Sequence, residues 1–318
     1  MESPFGVARA RVERVERVSP SFARITLGGD ALRAFGNPER TLDQRIKLIF
    51  PPGDGVLPEL RDSGEWYAEW LALPEEQRGS MRTYSIRRIE LEPDGATRFV
   101  IDFVLHLADG ATGPASLWAS RARPGQELLV VAPRRGRLDG GGIEFEPAGA
   151  RDLLLAGDET AAPAIARILE ELPRDARGAA FIEVPLAEDR LAIDAPAGVE
   201  LRWLARGPGD AHGAELIPGV MAYLGREPVA DALVTELPRS EGVAADALLW
   251  ETPAFSALGE DIVEPAEQGG AESARYHWIA GESSVVTSLR RHLVKELGIP
   301  RSRVAFMGYW RRGVAMKG

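Results

Sequence analysis

Near Gly141–Ala150 the hydrophobic pattern of the chain changes character, and this change divides what it can fold into. Before it, VARARVERVERVS and FARITLGG alternate apolar and polar residues, as half-buried strands do. QRIKLIFPP reads as a short strand ended by prolines. MRTYSIRRIEL and TRFVIDFVLH read as neighbouring strands joined by the turn EPDGA. GPASLWASRA is a short helix opened by glycine and proline, and QELLVVAP is a further strand. Many short strands separated by turn residues predict a small antiparallel β-barrel carrying one helix. After the change, RDLLLAG is a buried-type strand, and DETAAPAIARILEELP is a helix with acids and a proline in its first turns. GAAFIEVP and VELRWLAR follow as strands, EPVADALVTELP as a helix and DALLWETP as a strand. YHWIAGE feeds the helix SSVVTSLRRHLVKELG, and RVAFMGYW is the last strand. Strands alternating with helices predict parallel βαβ units. The expected architecture is a β-barrel over residues 1–145 followed by a parallel-sheet α/β domain over 146–318. The acidic stretch Phe255–Ala274 reads as a loop.

Composition narrows the function. A chain of 318 residues exceeds the size at which single cores stop growing, so two domains are expected. No apolar run approaches the length of a membrane span, and the N-terminus has no apolar core of a signal peptide, which predicts the cytoplasm. The absence of cysteine excludes disulfides, thiol catalysis and cysteine-ligated iron–sulfur clusters. A net charge of −10 argues against general nucleic-acid binding. The last eighteen residues nevertheless carry four arginines and a lysine with no acid, around Tyr309 and Trp310. They read either as a solvated basic tail or as an anion site.

MRTYSIR (81–87) concentrates unusual chemistry on one strand. Alternation places Arg82, Tyr84 and Ile86 on one face and Thr83, Ser85 and Arg87 on the other. A cation beside an aromatic ring suits a flat ligand that carries a phosphate, or an ordinary strand edge with a cation–π contact. In the second half, the C-terminal ends of the expected strands carry LAGDET, EVP and AGES, at the lip where open α/β sheets bind ligands. None of these is a G-x-G-x-x-G fingerprint.

Eight segments in order, RIKLIFP, MRTYSIR, DFVLH, GPASLWA, LLLAGDETAAPAIARILEEL, IEVP, WIAGESSVVTSLRRHL and GYWRRG, together resemble the siderophore-interacting protein family. These are flavin-dependent ferric-siderophore reductases of the ferredoxin-reductase-like superfamily. The resemblance implies FAD on the barrel, with Tyr84 stacked on the isoalloxazine, Ser85 at its N5 edge and Arg82 on the phosphates. It makes Tyr84 and Ser85 the residues nearest the chemistry. It adds Thr83, Asp102, Val104, His106 and the helix start Gly113, Pro114, Ala115 and Ser116 to the cofactor site, with Asp158, Thr160, Tyr309 and Trp310 completing it. NADH or NADPH would meet Gly157, Asp158, Glu159, Thr160, Glu183, Gly281 and Glu282, with Glu183 toward a ribose or Arg206 toward a 2′-phosphate. The resemblance implies a hydride passed from NAD(P)H to FAD, then single electrons to the Fe(III) of a bound siderophore, with a ferredoxin as another possible donor. An anionic ferric siderophore would be held by Lys47, Arg135 (or its neighbour Arg134) and Arg311. No metal ligand of the protein's own is implied. Two departures from the family stand out: HLADGATG (106–113) lengthens a usual histidine–glycine turn, and Ala132–Pro133 replaces glycine–proline. Another flavin reductase of the superfamily, or a non-catalytic siderophore-binding protein, is the alternative.

Overall fold

The computed structural model describes residues 3–53, 55–107, 112–207, 209–226, 249–253, 255–256 and 275–314. The chain divides into two compact units, one reaching Ile143 and the other beginning at Glu144.

The first unit contains β1 (Phe5–Arg17), β2 (Phe22–Gly28), β3 (Arg45–Phe50), α1 (Trp66–Ala72), α2 (Glu75–Arg78), β4 (Ser80–Ser85), β5 (Arg88–Leu91), β6 (Thr97–Val104), α3 (Pro114–Ser120) and β7 (Glu127–Pro133). Its strands form one curled antiparallel sheet in the order β4-β3-β7-β1-β2-β6-β5. Alternate residues fill the concave core: Ala8, Ala10 and Val12 of β1, Ile46, Leu48 and Phe50 of β3, Leu128 and Val130 of β7, and Phe99, Ile101 and Phe103 of β6. The opposite face is also covered in part. Val7, Ile49, Met81, Leu129 and Val131 pack with Leu57 and Trp70 from the β3–β4 connection. Burial on both faces explains why QELLVVAP reads as a continuous apolar run and not as an alternation. The acid-rich stretch before β4 holds α2, and α1 precedes it. Trp70 anchors this connection by donating its indole N–H to the Arg78 carbonyl at 2.8 Å.

The second unit contains β8 (Asp152–Gly157), α4 (Ala162–Glu171), β9 (Arg177–Val184), β10 (Gly198–Ala205), α5 (Leu216–Tyr223), β11 (Trp250–Thr252), β12 (Phe255–Ser256), β13 (Tyr276–Glu282), α6 (Ser283–Arg290) and β14 (Val304–Trp310). The sheet order is β10-β9-β8-β13-β14-β11-β12. The five strands β10, β9, β8, β13 and β14 run parallel, as the βα alternation predicts. β11, read as part of DALLWETP, instead joins β14 antiparallel, and β12 pairs antiparallel with it, so the sheet is mixed at that edge. The expected helix EPVADALVTELP and most of the expected acidic loop lie outside the described residues. Strand order reverses between β8 and β13, which makes the ends of these two strands the switch point where α/β sheets receive ligands. β8 ends on Gly157, and Gly281 is the penultimate residue of β13. A Cβ on Gly157 would lie 2.6 Å from the Ala280 carbonyl, and Gly281, at φ 140°, would place one 2.7 Å from the Asp158 carboxylate.

Candidate functional site

In the first unit, register decides which side chains share a face. Ile46 lies opposite Tyr84 and Leu48 opposite Arg82, so Arg82 and Tyr84 face the concave core side. The Tyr84 ring lies 4.5 Å from Phe103, and Trp118 of α3 continues the cluster toward Phe103 at 5.9 Å and Phe50 at 5.1 Å. Burial pushes the Tyr84 phenol above its ordinary range, so it stays neutral. Arg82 is half-buried and donates to the neighbouring Met81 carbonyl at 2.7 Å. Among the described residues no carboxylate pairs with it, and burial lowers its proton affinity. A guanidinium withdrawn from water without a counter-charge is unfavourable unless an anion joins it. This donor, beside an aromatic cluster, fits a flat cofactor with a phosphate, and FAD is such a group.

Other expected cofactor residues have internal duties. Asp102 lies on the opposite face of β6, where Arg24 donates to both its carboxylate oxygens at 2.7 and 2.8 Å and Arg87 stands 3.8 Å away. Its carboxylate clamps the sheet. The Ser116 hydroxyl donates to the Val104 carbonyl at 2.9 Å and fastens α3 to β6. Gly113 caps α3 without a side-chain hydrogen bond, Pro114 opens it, and Ala115 is buried in the core. His106 follows β6, and part of its loop lies outside the described residues. Ser85 ends β4, buried opposite Arg45.

Thr83 is exposed on the other face of β4, opposite Lys47. The Lys47 ammonium donates to the Thr83 hydroxyl at 3.0 Å. Burial, then the nearby Arg45 charge, holds the Lys47 pKa below its ordinary value. Arg135 is bonded within the unit. Its guanidinium donates to the Gly36 and Phe35 carbonyls, each at 2.7 Å, and to the Thr97 hydroxyl at 2.9 Å. Arg134 is paired with Asp62 at 2.7 Å and lies over the Phe35 ring.

In the second unit, the residues expected to meet a dinucleotide hold each other. Thr160 donates from its backbone N–H and its hydroxyl to Asp158 Oδ1, at 2.9 and 2.5 Å. Asp158 Oδ2 accepts from the Glu282 backbone N–H at 2.7 Å and from the Trp310 indole at 2.8 Å. Burial and then the neighbouring Glu159 charge raise the Asp158 pKa, while the Thr160 and Trp310 donors oppose that rise. Glu282 caps α6 by accepting from the Ser284 and Val285 N–H groups. Arg206 donates bidentately to Glu159, at 2.8 Å to each oxygen, and to Glu183 at 3.0 Å. Glu183 also accepts from the N–H groups of Gly213, Glu215 and Leu216, at the start of α5. Fully enclosed, Glu183 caps a helix, and Arg206 is its counter-ion; neither side chain faces outward to choose between a ribose and a 2′-phosphate. Tyr309 stacks on Trp250 at 6.2 Å and meets Trp278 edge-on. Trp310 meets the ring of His212 at 4.8 Å. His212, which sequence reasoning passed over, brings a ring nitrogen within 4.8 Å of carboxylate oxygens of Asp158 and Glu159. A lone histidine in a glycine-rich loop carries no motif that would have marked it. Arg311 follows β14, half-buried.

Comparison with known proteins covers both units. Residues 11–137 match the siderophore-interacting FAD-binding domain, and residues 150–313 match the siderophore-interacting protein family. The ferric vibriobactin reductase ViuB of Vibrio cholerae is 28% identical over 304 residues, spanning 94% of this chain and 88% of that protein. An NADPH-dependent ferric-chelate reductase of Escherichia coli is 35% identical over 199 residues, 61% of this chain and 69% of that protein. The crystal structure of a siderophore utilization protein from T. fusca superposes with a TM-score of 0.64 at 28% identity, covering 99% of this chain and 96% of that one.

Proposed function

This chain belongs to the siderophore-interacting protein family, and from that premise we propose that it is an FAD-dependent reductase of anionic ferric siderophores, with NADPH or NADH as electron donor. The observation that carries the reading is Arg82: a half-buried cation beside the Tyr84 ring, with no carboxylate partner among the described residues. The relatives named for ferric reduction support the activity, and the E. coli relative named for NADPH supports the donor.

Bound FAD supplies the conversion from a two-electron donor to the one-electron reduction that iron(III) accepts. The residues do the rest by position and charge. Tyr84 would hold the flat ring system, and the Arg82 guanidinium would give paired N–H donors to a phosphate. Ser85, at the end of the same strand, lies on the face of Thr83, buried opposite Arg45, and closes the strand beside Tyr84. Lys47, on the reverse face of the β3–β4 ribbon, presents its ammonium to the anionic ligand oxygens of the chelate. At the lip of the second unit, Asp158 and Glu282 fix the ends of β8 and β13, which steadies the surface that receives the dinucleotide. Iron(II) is bound less tightly by the chelator, so reduction releases it. No helix among the described residues is long and apolar enough to cross a membrane. The nicotinamide donor points to the cytoplasm as the place of reaction.

The test is the visible spectrum of the purified protein, followed without oxygen. Flavin bands should bleach with NADPH or NADH and return when a ferric siderophore is added. Bleaching only by a reduced ferredoxin would transfer the donor role to that partner. Turnover of free flavin without preference for a chelate would assign the protein to another class of flavin reductase. A colourless protein that neither binds FAD nor quenches its fluorescence would defeat the reading.

A further inference from the structure

The β3–β4 ribbon separates two chemistries by register. Arg82 and Tyr84 face the core side, whereas Lys47 and Thr83 form a cross-strand pair on the reverse face. Thr83 therefore lies on the wrong face of β4 to touch a ring stacked on Tyr84. Its hydroxyl instead accepts from the Lys47 ammonium at 3.0 Å. The Lys47 position pairs on its other side with Val131 of β7. Among the described residues no carboxylate pairs with Lys47, and Arg45 is near enough for its charge to be felt at the ammonium. Arg45 lies two residues earlier on the same face of β3, so like charges gather there.

A lysine on a flexible stem loses rotamer freedom when it holds a ligand. A carboxylate neighbour would fix it but neutralise it. A hydroxyl fixes it and leaves its charge intact, and it takes one of the three ammonium N–H donors. We propose that Thr83 is a positioning residue for substrate: its hydroxyl orients the Lys47 ammonium so that two N–H donors and the full charge face the anionic oxygens of a ferric chelate. This assigns Thr83 to substrate charge selection and removes it from the flavin site. It rests on the reading of the chain as a reductase of anionic ferric chelates.

The test compares the FAD-loaded wild type with Thr83→Val, which keeps the β-branched shape, and Thr83→Ser, which keeps the hydroxyl. Two probes are used: the trianionic iron(III) tris-catecholate and the neutral iron(III) tris-acetohydroxamate. Dissociation constants come from equilibrium dialysis and KM from anaerobic turnover. In Thr83→Val the Kd and KM for the tris-catecholate should rise about 3- to 10-fold, as loss of the net contribution of one ordinary hydrogen bond implies. The ratio of the two chelates' Kd values should shift by the same factor, and Thr83→Ser should restore it. FAD content, read from the absorbance ratio, should stay at the wild-type value. Loss of FAD in Thr83→Val would return Thr83 to the cofactor site and overturn the proposal. An unchanged chelate ratio in a wild type that reduces both would defeat this proposal alone. A wild type that reduces neither chelate would defeat the functional reading, and this one with it.

Discussion

Two side chains show how much one residue's surroundings decide. Arg82 is an ordinary strand arginine until its setting is counted: half-buried, beside an aromatic cluster, with no carboxylate partner among the described residues. Arg82→Ala should weaken FAD binding by about 10- to 100-fold, the range for losing a charge-assisted pair of hydrogen bonds. Flavin fluorescence titration of refolded apoprotein measures it, and an unchanged Kd would remove Arg82 from the site. His277 of β13 shows the opposite case, a titratable group kept neutral. It is buried in the sheet, its Nδ1 is 3.4 Å from the Arg303 carbonyl, and its Nε2 has no partner among the described residues. Burial lowers its pKa from 6.5 to about 4. Above pH 6.5 the ring is neutral both folded and unfolded, and it carries no penalty. Between 6.5 and about 4 the unfolded chain takes the proton first, so stability falls by up to roughly 1.4 kcal/mol per pH unit. Unfolding free energies of wild type and His277→Phe, measured from neutral pH downward, should therefore converge or cross in that window. Parallel curves would show that His277 is not the group responsible. The MRTYSIR motif made Arg82 legible in sequence; nothing local distinguished His277, because its burial comes from β8 and β14 on either side.

At the scale of elements, the lip of the second unit is held by charge as much as by hydrogen-bonded strands. Glu159 follows β8, Glu183 lies near the end of β9, and Arg206 follows β10. Their ion pairs join three strand ends and the start of α5. Both carboxylates are fully buried, and the Arg206 side chain is 8% exposed. Burial alone would lower the Arg206 pKa, but hydrogen bonds and charge from Glu159 and Glu183 raise it above its ordinary range. Arg206→Met should cost about 3–5 kcal/mol at neutral pH, because it removes the cation that both buried carboxylates share. Part of that loss should return at acid pH, because lowering the pH relieves buried negative charge that has lost its cation. Urea unfolding at the two pH values checks both statements, and a pH-independent loss would mean that packing, not charge, is what Arg206 supplies. The sequence marked GDET and EVP as lip residues from their place after strands. It did not show that Glu183 turns toward α5 and Arg206, since those partners lie 23 to 33 residues further on.

At the scale of the whole molecule, the sign of the net charge opposes the proposed substrate. A chain of net charge −10 repels an anionic chelate at long range, while Lys47 attracts it locally. The local site should dominate association, so kcat/KM for the tris-catecholate should fall as ionic strength rises from ~10 to ~200 mM, where the Debye length shortens from about 30 Å to under 10 Å. A rise with salt would show that the overall field governs encounter. The two-unit plan itself was visible in the change of hydrophobic period near residue 145, because apolar spacing is a local property that each element carries in its own residues.

By itself, then, the sequence determined most of the strands, the helices α3, α4 and α6, and which motifs stand at strand ends; α1, α2 and α5 carried no local signal that marked them. It also determined that an arginine and a tyrosine share one face of β4. Only the tertiary structure decided what each polar side chain meets: Asp102 with Arg24, Arg135 with two carbonyls, Glu183 with α5, Thr83 with Lys47. Element type follows from neighbours a few residues away. A charge's role follows from neighbours brought together across the fold, where burial removes water and leaves the protein to supply each partner.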